Sequence, residues 1–198
     1  MIERRAHRRL FLAALTISSA LVCAGCTSPP ASSMEDRFLE ATGSTWRVAG
    51  EPMVFERTEA RFSRSARDYT YIGPVALNRR GTYDYYLWIG IGSTLDRGFL
   101  APEATEPDSV LLYIDGEPLD LALSKWNQRI PDLADQIPYD PPVTVRSMLA
   151  ARVTLDQIAL LSDRGIDRLL LQTADNDTRE FRAWGTPVSW GAFVAQSP

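Results

Sequence analysis

Short runs of aromatic and β-branched residues constrain the fold of this chain more than any other feature. From Trp46 onwards these runs are separated by Gly, Pro, Asn and Asp, which is the pattern of β-strands joined by turns. The predicted strands are 53–67, 69–77, 82–94, 110–123 as two strands around Asp115–Gly116, 143–153, 166–173 and 179–184. We therefore expect a mainly β fold.

Two of these strands carry signals of their place in the sheet. The strand 82–94 becomes apolar on both faces beyond Tyr86, which indicates a central position. Gly90 and Gly92 within it predict close packing rather than a phosphate-binding loop, because neither a third glycine nor a helix start follows. Alternating charges in 53–67 favour an exposed edge, and Pro118 favours an edge position for the strand after Gly116.

Helix signals are few. Thr154 and Gln157 form a capping-box pattern that predicts a short helix through Ser162. The segment 33–43 carries an N-cap pattern at Ser33 and predicts another short helix, with a frayed linker as the alternative. The expected fold is a single antiparallel β-sandwich or curved sheet with one or two short helices.

The first 25 residues have the composition of an export signal. Four arginines precede an apolar run of 16 residues, 10–25, whereas a membrane-spanning helix needs roughly 20. Arg8–Arg9, followed by Leu-Phe-Leu, is similar to the core of the twin-arginine export motif, so this route and general secretion both fit. We expect residues 1–25 to be removed during export.

Ala24–Gly25–Cys26, at the end of the apolar run, resembles the lipobox of bacterial lipoproteins. In that family the cysteine thiol receives a diacylglyceryl group and a dedicated peptidase cuts before it. The resemblance implies cleavage between Gly25 and Cys26 and membrane attachment through lipid on Cys26. Cys23 stands where the family usually has Leu, and cleavage by the general signal peptidase is the alternative. Stable attachment takes two or more acyl chains.

Thr27, the residue after the lipobox, bears on location. In lipoproteins an Asp at this position tends to retain the protein at the inner membrane, so the resemblance implies the periplasmic face of an outer membrane. A soluble periplasmic protein and an inner-membrane anchor are the alternatives. Residues 26–44 would then be the acylated N-terminus and tether, and 45–198 a single β-rich periplasmic domain.

The composition after residue 25 excludes several classes of site. The single histidine is His7 and the two cysteines are Cys23 and Cys26, so the processed protein would have no Ser-His-Asp or Cys-His catalytic set and no zinc site built on those residues. Removing residues 1–25 leaves 17 of the 21 basic and 24 of the 25 acidic residues, a formal charge of about −7. That charge argues against nucleic acid as a partner. We expect neither a metal nor another cofactor.

The proline-rich segment 124–142 predicts an irregular loop, which is a common location for a binding site. Trp126 and Tyr139 are its candidate contact residues for a partner or ligand. The alternative is that both side chains hold the loop onto the core.

The sequence is compatible with three functional classes. The favoured one is a non-enzymatic module that binds or scaffolds an envelope protein or cell-wall component near the membrane. A carboxylate-dependent glycan hydrolase would use a pair among Asp84, Asp96 and Asp140. A carrier of a small apolar ligand would use aromatic side chains of the sheet. These are Tyr83, Tyr85, Trp88 and Trp184.

Lipidation of Cys26 is tested by metabolic labelling with a fatty-acid analogue. We expect label on the native chain and on the Cys23→Ala control, and none on Cys26→Ser, because the lipid is carried by the sulfur. An unmodified thiol at residue 26 of the processed protein, found by mass spectrometry, would contradict the prediction.

Overall fold

The computed structural model describes residues 34–58, 67–94, 106–185 and 188–198. Within them the chain is mainly β, as predicted, and forms one antiparallel sheet with three short helices. The strands are β1 (Glu35–Leu39), β2 (Ser44–Val48), β3 (Met53–Thr58), β4 (Arg67–Arg79), β5 (Thr82–Ser93), β6 (Ser109–Ile114), β7 (Glu117–Ala122), β8 (Ser124–Lys125), β9 (Val145–Val153), β10 (Arg168–Gln172) and β11 (Thr178–Ala183). The helices are α1 (Trp126–Arg129), α2 (Leu155–Arg164) and α3 (Gly191–Gln196). None of the helices in the described part is long and apolar enough to cross a bilayer.

The sheet has one continuous path and one branch. Its order is β7-β6-β10-β11-β3-β4-β5-β9-β8, while β2 also pairs with β4 and β1 pairs with β2. β4 pairs with β5 along its whole length, so β2 and β3 share the other edge of β4. The predicted central position of 82–94 is confirmed, because β5 lies between β4 and β9.

Strands β4, β5 and β9 are buried on both faces and separate two apolar clusters. Alternate residues of a strand point to opposite faces, so neighbours such as Leu87 and Trp88 enter different clusters. The larger cluster contains side chains from β6, β10 and β11 together with α2 and α3. The smaller one is closed by the segment 126–139, which supplies Trp126 and Tyr139.

The predicted turn at Asp115–Gly116 and the predicted helix after Thr154 are confirmed. Asp115 and Gly116 both have positive φ in the turn from β6 to β7, and β7, which contains Pro118, lies at the end of the path. Helix α2 starts with a complete capping box, in which the Thr154 hydroxyl accepts from Gln157 N–H at 3.1 Å. In return, the Gln157 side chain accepts from Thr154 N–H at 2.9 Å.

Two predictions near the N-terminal side of the sheet are wrong. The helix expected within 33–43 is absent from its described part, where Glu35–Leu39 is a strand paired with β2. Asp36 of β1 forms an ion pair with Arg47 of β2 at 2.6 Å. The edge position expected for 53–67 is also wrong, because β3 pairs with β4 on one side and β11 on the other. Residues 59–66 lie outside the described residues.

The cap of α2 generates a stability prediction. Thr154→Ala removes the acceptor for Gln157 N–H and should lower the free energy of unfolding by about 1 kcal/mol. Thr154→Ser keeps the hydroxyl and should remain near wild type. Denaturant titration of the three proteins measures the difference, and equal losses in the two variants would show that the hydroxyl does not stabilise the helix.

Candidate functional site

The paired edge of β4 is interrupted where β2 gives way to β3. Val48 pairs with Val75 and Met53 pairs with Ile72, so the four residues 49–52 lie opposite only Gly73 and Pro74. We call residues 49–52 the bulge. Such an interruption removes ladder hydrogen bonds, and the buried backbone groups beside it need other partners.

Tyr139 supplies those partners. Its hydroxyl donates to the Pro74 carbonyl at 2.7 Å and accepts from the Ala49 N–H at 3.2 Å. The side chain is 4% exposed, and this burial raises the pKa of the hydroxyl well above its usual value of 10. A neutral hydroxyl can donate and accept at once, which is what the interrupted ladder requires.

Two glycines make room for the aromatic rings at this place. A Cβ on Gly73 would lie 2.3 Å from the Tyr139 ring, and a Cβ on Gly90 would lie 2.4 Å from the Trp88 ring. The ring centroids of Trp88 and Tyr139 are 5.4 Å apart. The close packing predicted at Gly90 is therefore confirmed, and Gly73 performs the same role on the neighbouring strand.

Trp126, the second predicted contact residue, is buried and holds the loop together. Its indole Nε1 donates to the carbonyls of Leu133 at 2.8 Å and Gln136 at 3.1 Å. Asp132 of the same loop pairs with Arg79 at the end of β4, at 2.7 Å. These contacts agree with the alternative in which Trp126 and Tyr139 fasten the loop to the core. Contact of Trp126 and Tyr139 with a partner stays a prediction. Of these two side chains, Tyr139 lines the cavity described next.

That cavity is a groove of about 490 Å³ between the bulge and the end of the loop. Its lining consists of residues 48–52, Val54, Tyr71 and residues 138–142, together with Glu35 and Arg37 of β1. The Tyr71 side chain is 1% exposed, and this burial raises the pKa of its hydroxyl above the usual value. We call this cavity the groove.

The charged side chains of the groove divide into a paired set and an unpaired set. Arg37 binds both carboxylate oxygens of Glu35 at 2.7 Å, and this hydrogen bonding lowers the pKa of Glu35. Arg37 also lies over the Trp46 ring at 4.9 Å. Glu51 and Asp140 are exposed, and neither carboxylate has a hydrogen-bond or ion-pair partner in the described part of the chain.

A row of aromatic rings leads from the groove to the exposed side chain of Trp184. The backbone N–H of Trp184 donates to the Val54 carbonyl at 2.9 Å, and the Trp184 side chain is 49% exposed. Its ring meets that of Tyr69 edge to face, with centroids 6.0 Å apart. Tyr69 in turn stacks on Tyr71 at 6.2 Å, so the three rings connect Trp184 to the groove.

Asp84 and Asp140, the two predicted catalytic carboxylates that the structure describes, do not share a site. Asp84 forms ion pairs with Arg79 at 3.1 Å and with Arg152 at 2.7 Å, a structural role at the end of the hairpin. Asp140 lines the groove. Asp96 lies outside the described residues, as do Gly25 and Cys26. No group of three metal-ligating side chains occurs among the residues that the structure describes.

The aromatic residues predicted for a carrier site are also separated. Trp88 is fully buried in the smaller cluster, whereas Tyr85 packs against the larger cluster on the other face of the sheet. Tyr83 stacks on Tyr85 at 6.4 Å, and the Tyr85 hydroxyl donates to the Pro198 carbonyl. Trp184 lies beside the groove, so these four side chains do not line one cavity.

Sequence reasoning missed Glu51, Val54 and Tyr71 as groove residues. One local signal was present, because Gly50 and Pro52 punctuate the run of strand-forming residues and mark a break within it. The partner of that break, Tyr139, is ninety positions away from Ala49 in the chain.

The role of Tyr139 generates a prediction for Tyr139→Phe. The variant keeps the ring but leaves the Pro74 carbonyl and the Ala49 N–H without their partner, so the free energy of unfolding should fall by about 1–3 kcal/mol. Tyr85→Phe, which loses a hydrogen bond at the surface, should fall by less. Equal effects of the two changes in denaturant titrations would contradict the role assigned to Tyr139.

The same variant should change the alkaline stability profile. Because burial raises the pKa of Tyr139 in the folded state, the unfolded chain ionises first as the pH rises above about 10. The neutral hydroxyl therefore supports the folded state fully below that pH, and the support is lost progressively above it. Tyr139→Phe should show a shallower fall in stability above pH 10 than wild type, and identical slopes would contradict this.

Comparison of the chain with protein-family models, with curated proteins and with solved structures found no match. The features that bear on function are those of the groove itself: an apolar floor, two unpaired carboxylates and an adjoining exposed tryptophan. Together they describe a surface able to bind a ligand of mixed apolar and polar character.

Proposed function

We propose that the protein is a lipid-anchored envelope protein that binds a partner through the groove and catalyses no reaction. The anchor would be the diacylglyceryl group on Cys26, at the periplasmic face of the outer membrane. Support for the anchor comes from the small-small-Cys sequence at residues 24–26, at the end of a basic and then apolar N-terminus.

The observation that carries the binding role is the pair of unpaired carboxylates on an apolar groove. Glu51 belongs to the bulge and Asp140 to the loop, while Val54, Pro141 and Pro142 give the groove apolar surface. A volume of about 490 Å³ falls within the usual range of ligand sites. A surface with both properties suits recognition of a partner segment better than a core-filling role, since a core leaves no carboxylate unpaired.

The proposed anchor and the groove are close in the chain. Glu35, the first residue of β1, lines the groove and lies nine positions after Cys26. Nine residues span at most about 30 Å even when fully extended. A partner held in the groove would therefore stay near the membrane surface that carries the lipid.

Glycan hydrolysis is a second candidate, favoured by one observation. Asp140, a predicted catalytic acid, lines the groove together with Glu51, and glycosidases use two carboxylates on either side of the scissile bond. Glu51→Gln and Asp140→Asn would each abolish release of reducing ends from purified cell-wall glycan if this candidate held. The binding proposal expects no release by the wild-type protein.

The binding proposal is tested with a photocrosslinking amino acid at position 51 in cells. The control carries the same amino acid at Asp120, an exposed position on the edge strand β7. We expect a defined adduct from position 51 that is absent from position 120 and that decreases in a Cys26→Ser background. Identical adducts from both positions, or an adduct unaffected by loss of the anchor, would overturn the proposal.

A further inference from the structure

The walls of the groove are poor in hydrogen-bond donors. Four prolines line it, and proline has no backbone N–H. They are Pro52, Pro138, Pro141 and Pro142. The Tyr139 hydroxyl is already engaged, because it donates to the Pro74 carbonyl and accepts from the Ala49 N–H. Apart from the backbone N–H groups of the bulge, a ligand that presents acceptors would find few donors here.

The acceptors of the groove are, in contrast, available. Arg37, the basic side chain of the lining, has both of its carboxylate-binding nitrogens on Glu35 and a further contact to the Ile137 carbonyl at 3.3 Å. Its charge is therefore balanced within the groove. Among the described residues, nothing compensates the carboxylates of Glu51 and Asp140, and these two negative charges favour a cationic ligand.

The aromatic surface beside the groove suits the same ligand. A guanidinium or ammonium group is attracted to the face of an exposed aromatic ring, and tryptophan is the strongest such partner. Trp184 is half exposed and is connected to the groove through Tyr69 and Tyr71. The side chains able to contact a ligand thus extend from the bulge to Trp184, and a single cationic head group would not reach all of them.

We infer that the groove binds an extended, cationic peptide segment of the partner, with an arginine or lysine at Glu51 and Asp140 and an apolar residue on Val54, Pro141 and Pro142. The inference rests on the proposed binding function and names the chemistry of its partner. A peptide fits better than a small amine, because the apolar floor and Trp184 would be unused by a head group alone.

The test uses the purified, processed protein in detergent micelles and fluorescein-labelled nonapeptides. A pool with a central arginine and random apolar neighbours is selected for binding, and the best peptide is compared with its citrulline counterpart by fluorescence anisotropy. Citrulline keeps the shape of arginine but is neutral. We expect the dissociation constant to rise about tenfold with citrulline, since charge-assisted hydrogen bonds are lost.

Variants of the groove provide the matching comparison. Glu51→Gln combined with Asp140→Asn should weaken the arginine peptide about tenfold, and Trp184→Leu about threefold. Asp120→Asn removes an exposed carboxylate of β7 that does not line the groove, and it should leave binding unchanged. Because the substituted side chains are exposed, the variants should unfold at the wild-type temperature. If the double variant fails to fold, the comparison of the arginine and citrulline peptides on the wild-type protein tests the inference.

Four results would overturn the inference. They are equal affinities for the arginine and citrulline peptides, unchanged binding in the double variant, the absence of any binder in the pool, and competition by spermidine at the concentration of the peptide itself. The last would indicate a small polyamine as the ligand. If any of these occurred while the adduct specific to position 51 persisted in cells, the binding function would stand and only the chemistry of its partner would be wrong.

Discussion

The hydroxyl of Tyr139 holds together the place where the sheet is interrupted. β4 is longer than either neighbour on one edge, and the bulge between β2 and β3 leaves the Pro74 carbonyl and the Ala49 N–H without ladder partners. A hydroxyl can satisfy one acceptor and one donor together, and the Tyr139 ring can bring it there because Gly73 has no side chain. The loop that carries Tyr139 is in turn fixed by the indole of Trp126.

The same interruption creates the candidate site. A continuous strand would leave no bulge, and without the bulge the residues 138–142 would face a flat sheet rather than one side of a groove. Stability and binding therefore depend on one local departure from regular pairing. Burial separates the two roles. Tyr139 is buried and completes the hydrogen bonding of the sheet, whereas Glu51 and Asp140 are exposed and can contact a ligand.

Much of the fold could be predicted because strands, turns and helix caps leave patterns within a few neighbouring residues. The apolar run in β5 gave its central position, the Asp115–Gly116 pair gave a hairpin, and the Thr154 capping box gave α2, all from neighbouring residues. The helix predicted after Ser33 is wrong because a capping pattern reflects only neighbouring residues. The pairing of Glu35–Leu39 with β2, which is not a local interaction, outweighed it. Helices α1 and α3 were missed, being only four and six residues long.

The groove could not be predicted, because its parts come from distant segments. Glu51 and Asp140 are ordinary surface carboxylates in the sequence, and only the pairing of β2 and β3 with β4 places their segments side by side. Asp84 shows the reverse case, a carboxylate that looked available but is held by Arg79 and Arg152. Which acceptors of a cavity lack a partner depends on the folded chain, and the local sequence does not show it.

Hydrogen exchange at the Ala49 amide tests most directly whether Tyr139 closes the interrupted ladder. In the wild-type protein this amide should be protected. In Tyr139→Phe its exchange should accelerate about tenfold or more beyond the acceleration of the β10 amides, which reports the loss of global stability. Equal exchange rates at Ala49 in the two proteins would contradict the account, because the hydroxyl would then not be the partner of that amide.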